Sequence, residues 1–187
     1  MQYDLLETAW GWMAAVWSAK GLYELSFPKP DQETAILSID NCKGERGEEP
    51  HPYTGQLQQE LKLYWQGFPV EFTVPVDWSG YTPFQKAILS YTATIPYGET
   101  RTYRQAAEAA GSPKAVRAAG GALHINRTPI VVPCHRVIGS HGGLTGFGGG
   151  LELKQALLLL ESPDETPLFR RENKLVFSQL AGYNKWS

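Results

Sequence analysis

Apolar and polar positions alternate along Gly11-Trp12-Met13-Ala14-Ala15-Val16-Trp17-Ser18 and again along Leu22-Tyr23-Glu24-Leu25-Ser26-Phe27. With Ala19-Lys20-Gly21 between them, the pattern predicts two strands joined by a turn. The period changes further on. Leu57, Leu61 and Tyr64 share one face of Leu57–Trp65, which predicts a helix, and Val70-Glu71-Phe72-Thr73-Val74 returns to a strand-like alternation. Asp40 to Pro52 is polar, acidic and interrupted by Gly and Pro, so it reads as a solvated loop, with Glu45, Glu48 and Glu49 serving solvation. The first segment is therefore expected to be a small α+β unit.

A break falls near Asp77-Trp78-Ser79-Gly80-Tyr81. Beyond it, punctuation rather than period carries the prediction. Thr82 with Pro83 behind it is a helix start, and the helix should run to Thr92, before the turn Ile95-Pro96-Tyr97-Gly98. Thr102 can cap a second helix, Tyr103 to Ala110, stopped by Gly111. Ser112 can cap a third, with Pro113 at its first position, running to about Leu123. Two short helices across a tight Gly-bearing turn are expected to form a helix-turn-helix. After Glu161 the chain bears Pro and charged residues and reads as a tail, with Tyr183 and Trp186 available to dock back.

Composition permits either one large or two small domains: 187 residues, 42% of them hydrophobic. The net charge of −2 conceals a division. Residues 1–81 carry 12 acidic and 5 basic side chains, whereas residues 82–161 carry 4 acidic and 8 basic ones. The basic half admits an anionic partner at one surface. There are two cysteines, Cys42 and Cys134, no basic leader at the N-terminus, and no apolar run of membrane-spanning length. The expectation is a soluble, cytoplasmic, monomeric protein with reduced thiols and no membrane partner.

The candidate chemistry lies in Pro133-Cys134-His135-Arg136-Val137, which follows the extended run Ile130-Val131-Val132. A free thiol, with a pKa of about 8.5, is a poor nucleophile at neutral pH unless positive charge or a base helps it ionise. His135 and Arg136 offer both kinds of help within two residues. Neighbouring side chains of an extended strand point opposite ways, so cooperation between Cys134 and His135 requires a turn at this point.

From Thr82 to Glu161 the chain resembles the O6-alkylguanine-DNA alkyltransferases, also called methylated-DNA–protein-cysteine methyltransferases. The resemblance rests on an ordered set: Thr82-Pro83-Phe84-Gln85, Ile95-Pro96-Tyr97-Gly98, Thr102-Tyr103, Ala115-Val116-Arg117-Ala118, Gly120-Gly121-Ala122, Asn126, the Pro133–Val137 pentapeptide, Gly146-Phe147-Gly148-Gly149-Gly150-Leu151, then Lys154, Leu157-Leu158 and Glu161. It implies an α+β chain. Residues 1–79 would form a small N-terminal α/β domain of ribonuclease-H-like fold. Residues 80–163 would form a mainly helical, winged-helix-like domain holding the helix-turn-helix, and residues 164–187 a C-terminal tail.

The resemblance also implies roles. Cys134 would take the alkyl group from O6 of guanine in double-stranded DNA and keep it as a thioether, once per molecule, with O4-alkylthymine a second candidate substrate. Thiolate suits attack at a methyl carbon because it is soft, and the S-alkyl product has no good leaving group. His135 would be the base, acting through a water, Glu161 its orienter, and Asn126 the tie between the loop after the recognition helix and the active-site strand. Tyr103, Arg117, Ala118, Gly120 and Arg136 would handle DNA, with Tyr103 crowding the target phosphate and Arg117 filling the vacancy left by the flipped nucleotide. Tyr103, Val137, Phe147 and Gly148 would form the base pocket, with the carbonyls of Cys134 and Val137 accepting from the guanine amine. Residue type alone permits plainer readings: a buried inert Cys134, a solvated Glu161, a helix-capping Asn126, a salt-bridging Arg117.

Three departures stand out. Phe147 replaces a frequent tyrosine, Arg127-Thr128-Pro129 follows Asn126 where some relatives have Asn-Pro, and the zinc that some relatives carry has too few ligands here, with only Cys42 and His51 in the first segment. No metal and no cofactor is expected, and His124 and His141 receive no role. The glycine run lacks the Gly-Lys-Ser/Thr ending of a phosphate-binding loop. A cysteine hydrolase and a helix-turn-helix regulator leave the motif set unexplained. A non-catalytic binder of alkylated DNA is the alternative, and Cys134 argues against it.

Overall fold

The computed structural model describes residues 1–39, 44–140, 142–144 and 146–162. The expected tail, and with it Tyr183 and Trp186, lies outside the described residues, as do Cys42 and His141. The fold is mixed α+β. One compact unit holds Met1–Asp77, and a second begins at Trp78.

In the first unit, β1 (Gln2–Thr8), β2 (Gly11–Ser18), β3 (Gly21–Leu25) and β4 (Glu45–Arg46) form a sheet in the order β3-β2-β1-β4. β1, β2 and β3 are antiparallel neighbours, and β4 runs parallel to β1. The long apolar stretch of β2 is explained by its central place: Met13 to Trp17 are all buried. α1 (Gln32–Leu37) sets Ala35 beside Ala14 and Val16, and α2 (Thr54–Trp65) buries the predicted stripe of Leu57, Leu61 and Tyr64. Asp4 anchors the start of α2, accepting hydrogen bonds from the His51 amide at 3.0 Å and from the Thr54 hydroxyl.

Two expectations fail in this unit. Glu45 and Arg46, read as loop, pair with β1. Val70–Val74, read as a strand, has no ladder. The neighbouring Pro75 carbonyl takes the Leu22 amide at 2.7 Å, and Asp77 donates back to Leu22 at 2.8 Å, so the β3 edge is already used. Thr73 instead bonds Glu60 through its hydroxyl at 2.6 Å and its amide at 3.1 Å, and Phe72 packs on Tyr64.

The second unit is assembled from capped helices. α3 (Pro83–Ala93) opens on a reciprocal capping box between Thr82 and Gln85, and α4 (Tyr103–Ala109) on another between Thr102 and Gln105. α4 packs against α5 (Val116–His124) across Gly111, which takes φ +72°. The third helix starts later than predicted. Ser112 caps nothing; its carbonyl accepts from the Ala115 amide at 2.8 Å, closing a turn over Pro113-Lys114 before the helix begins. A two-residue parallel ladder, β5 (Arg101–Thr102) with β6 (Val137–Ile138), then joins the start of α4 to the chain just beyond Cys134. α6 (Leu151–Leu160) follows Gly150, at φ +84°. Ile88, Leu89, Ala106, Ala119, Ala122, Val132 and Val137 form the core around which these pieces close.

Candidate active site

The chain reaches Cys134 through a constrained loop. α5 ends at His124, Asn126 follows, and the Val132 amide donates to the Thr128 carbonyl at 2.8 Å, drawing 128–132 into a turn. At its centre Ile130 adopts φ +74°, a left-handed conformation that a β-branched residue rarely takes. Asn126 spans this turn. Its Nδ2 donates to the Val132 carbonyl at 2.8 Å and to Cys134 Sγ at 3.1 Å, and its Oδ1 accepts from the Thr128 amide at 3.1 Å. Cys134–Arg136 then form a single 3₁₀ turn, the bend that cooperation between neighbouring side chains requires.

His135 points inward and is fully buried, with Nε2 2.7 Å from Glu161 Oε1. Burial lowers its pKa below the ordinary imidazole value, outweighing the bond to Glu161 that raises it. The imidazole is therefore neutral at pH 7, the form a base needs. Burial alone would raise the Glu161 carboxyl, but the His135 ring beside it and the hydrogen bonds and charge of Arg136 hold it at about 2.

Arg136 requires a correction. Expected on the DNA face, it is 5% exposed and turned into the core. Its Nε donates to Glu161 Oε2 at 2.7 Å, Nη2 to Oε1 at 3.0 Å, and Nη1 to the Ile95 carbonyl at 2.6 Å. A guanidinium so engaged cannot reach a phosphate. The Ile95–Gly98 turn completes the cradle of the carboxylate: the Gly98 amide donates to Glu161 Oε2 at 3.3 Å, and the Tyr97 hydroxyl to the Leu160 carbonyl at 2.8 Å.

The expected activation of the thiol also needs correcting. Cys134 is 7% exposed, and burial pushes its pKa up; the Asn126 bond and the charge of Lys154 work in the opposite direction without overcoming it. The helpful cation is thus Lys154, not Arg136. Lys154 is fully buried, donates from Nζ to the Val137 carbonyl at 2.7 Å, and lies 5.7 Å from the Tyr103 ring centre and 6.0 Å from that of Phe147. Sequence reading assigned it no role. The available signal was a lysine on the apolar face of Leu151–Leu160, three residues before Leu157. The Val137 carbonyl, expected to accept from a base, already holds one bond from Lys154, and the Cys134 carbonyl holds one from the Val137 amide. A carbonyl oxygen has a second lone pair to offer.

The remaining predicted residues surround this centre. Tyr103 is half-buried at the first position of α4, placed there by the β5–β6 ladder. Gly120 of α5 faces it, and an added Cβ would lie in ordinary van der Waals contact with the ring, 3.8 Å away. Phe147 packs against the same core, and Gly148 is exposed. Arg117 and Ala118 are exposed on α5. Among the described residues, no group of three or more His, Cys, Asp or Glu could hold a metal ion, and no helix is long and apolar enough to cross a membrane. His51 stacks on Trp17 at 4.5 Å.

Comparison with known proteins agrees with this geometry. The family pattern described as 6-O-methylguanine DNA methyltransferase, DNA binding domain, matches residues 83–163. A methylated-DNA–protein-cysteine methyltransferase of Methanosarcina barkeri is 39% identical over 163 residues, covering 86% of this chain and 97% of that one. The chain belongs to the methylated-DNA–protein-cysteine methyltransferase family. A second member, from Mycolicibacterium paratuberculosis, is 48% identical over 125 residues, 65% of this chain and 74% of its own. Among solved structures, OGT of Mycobacterium tuberculosis in complex with DNA superposes with a TM-score of 0.73 at 35% identity, covering 90% of this chain and 99% of the other. The family is named for a protein cysteine as methyl acceptor, and the cysteine that the described residues of this methyltransferase offer is Cys134.

Proposed function

We propose that Cys134 receives the alkyl group directly from O6 of guanine in DNA, with the residues around it in the roles set out here. The protein repairs DNA by direct, stoichiometric and irreversible transfer, and alkylated double-stranded DNA is its partner. The observation that carries the assignment of roles is a pair of polar contacts made from one 3₁₀ turn: Asn126 to Cys134 Sγ at 3.1 Å, and His135, the next residue, to Glu161 at 2.7 Å.

In the proposed step the Sγ–H proton passes to neutral His135 through a bridging water, and Glu161 stabilises the imidazolium that forms. Sulfur forms a bond to the methyl carbon, the C–O6 bond breaks, and its electron pair leaves with guanine, which is protonated to complete the exchange. Thioether sulfur offers no leaving group, so the thiol is not regenerated. Lys154 and Asn126 favour the thiolate as it develops, which offsets part of the burial that suppresses it.

Exposed Arg117 and Ala118 on α5, with half-buried Tyr103 and Gly120 behind them, support a reading in which this helix-turn-helix meets the minor groove and holds the target nucleotide extruded. Phe147, Gly148 and Val137 would line the pocket for the base. In this reading residues 1–79 are a supporting domain of ribonuclease-H-like fold, and residues 80–163 a winged-helix-like domain for DNA binding and alkyl acceptance. We read the protein as acting as a monomer, and a thiol reagent of this kind suits the reducing cytoplasm.

The test is to incubate the protein with DNA carrying methyl-labelled O6-methylguanine and weigh it by mass spectrometry. One methyl per molecule on Cys134, absent in Cys134→Ala, is expected. DNA binding without label transfer would favour the non-catalytic binder instead.

A further inference from the structure

We propose that Tyr81, with Arg127 stacked upon it, is a positioning residue that holds Asn126 in line with the Cys134 thiol. The inference rests on the reading that Asn126 assists the thiol.

Asn126 follows Ile125, the residue that closes α5, where backbone groups lose their helical partners. The Tyr81 hydroxyl supplies partners on both sides of it. It donates to the Ile125 carbonyl at 3.4 Å and accepts from the Arg127 amide at 2.9 Å. A phenol has one proton to give and lone pairs to accept with, so a single oxygen can satisfy both peptide groups. The two bonds straddle Asn126 and fix the direction in which its side chain leaves the backbone.

Arg127 keeps the phenol in place. Its guanidinium carbon lies 4.2 Å from the Tyr81 ring centre, and Nη2 donates to the Ser79 carbonyl at 2.6 Å. Residues 79–81 are thereby clasped to 125–127, ahead of the Thr82 cap of α3. A proline at 127 would fix φ covalently but would have no N–H for Tyr81. With arginine there, the restraint on Asn126 comes from the clasp. The position matters because Asn126 Nδ2 divides its donors between the Val132 carbonyl and Sγ, so a small rotation of its backbone removes the contact to sulfur. Asn126 from the loop and Lys154 from α6 are then the side chains that act on the thiol, and His135, the next residue, holds Glu161 behind it.

Two quantities test this in the parent, Tyr81→Phe, Asn126→Ala and the double variant. One is the pH midpoint for iodoacetamide alkylation of Cys134 without DNA; the other is the single-turnover rate of methyl transfer from O6-methylguanine DNA. Tyr81→Phe keeps the ring and should leave the melting temperature near the parental value. It is expected to raise the thiol midpoint, to slow transfer by about tenfold, and to add nothing in the Asn126→Ala background. Parental values in Tyr81→Phe, or the same slowing in both backgrounds, would overturn the proposal. Parental values in Asn126→Ala alone would remove the role of Asn126 itself, and Tyr81 would then have nothing to act through.

Discussion

Consecutive residues on a 3₁₀ turn diverge by about 120°, and that rotation sorts the roles of Cys134, His135 and Arg136. The sequence places a thiol, an imidazole and a guanidinium side by side, and the thiol and base are legible from it. Which way each one faces is not. Arg136 is carried away from the thiol onto Glu161, while Lys154, 20 positions beyond Cys134, becomes the cation that the thiol senses. Adjacency in sequence misassigned the charge because electrostatics acts through space. The thiol should behave accordingly: at neutral pH Cys134 should react with iodoacetamide more slowly than a free cysteine, because burial raises its pKa. Asn126→Ala should slow it further, since that bond favours the thiolate. Faster labelling in the variant would contradict the assigned direction.

Helices of the second unit were legible where a chemical cap marks their start. Thr82 with Gln85 and Thr102 with Gln105 satisfy orphan amides reciprocally, and both threonines stand out in the sequence as helix starts. Ser112 misled because a Ser-Pro pair can open a turn as well as a helix. Val70–Val74 misled because alternation reports a two-faced segment, whereas a strand also needs a free edge to join, and Pro75 occupies it. β1 is hard to read because its burial does not follow hydrophobicity: Asp4 is buried with Leu6, whereas Leu5 between them is half-buried. The Thr102 cap carries a consequence at this scale. Thr102 belongs both to the α4 cap and to the β5–β6 ladder beside the active site. Thr102→Ala should therefore cost about 1 kcal/mol of stability, measurable as a lowered denaturant midpoint. It should also slow alkyl transfer, because Tyr103 is the next residue.

At the scale of the whole molecule, the buried His135–Glu161–Arg136 group ties stability to pH. Glu161 ionises at about 2 in the folded chain against 4.5 for an ordinary carboxyl, so the unfolded chain binds this proton first as pH falls. Its contribution is complete above about pH 4.5 and is lost on the way down to about pH 2, on the order of 3 kcal/mol. His135 adds to the same trend at milder acidity, because its pKa is lowered from 6.5 in the fold. Urea midpoints measured across this range should fall steadily, and Glu161→Gln should flatten the lower part of the curve. Charge division makes a second whole-molecule claim. Two of the eight basic residues of 82–161, Arg136 and Lys154, are buried, which leaves the exposed Lys86, Arg104, Lys114 and Arg117 among those available to phosphate. DNA affinity should drop steeply with salt, and Arg117→Ala should reduce the slope of log affinity against log salt by up to about 1. A response independent of salt would count against this face.

The quiet thiol has one more implication. A repair protein consumed by its own reaction must survive the wait for a lesion that rarely comes. Small electrophiles and oxidants attack thiolates, and Cys134, 7% exposed with a raised pKa, offers them very little thiolate. Its burial gives each unused molecule a long shelf life.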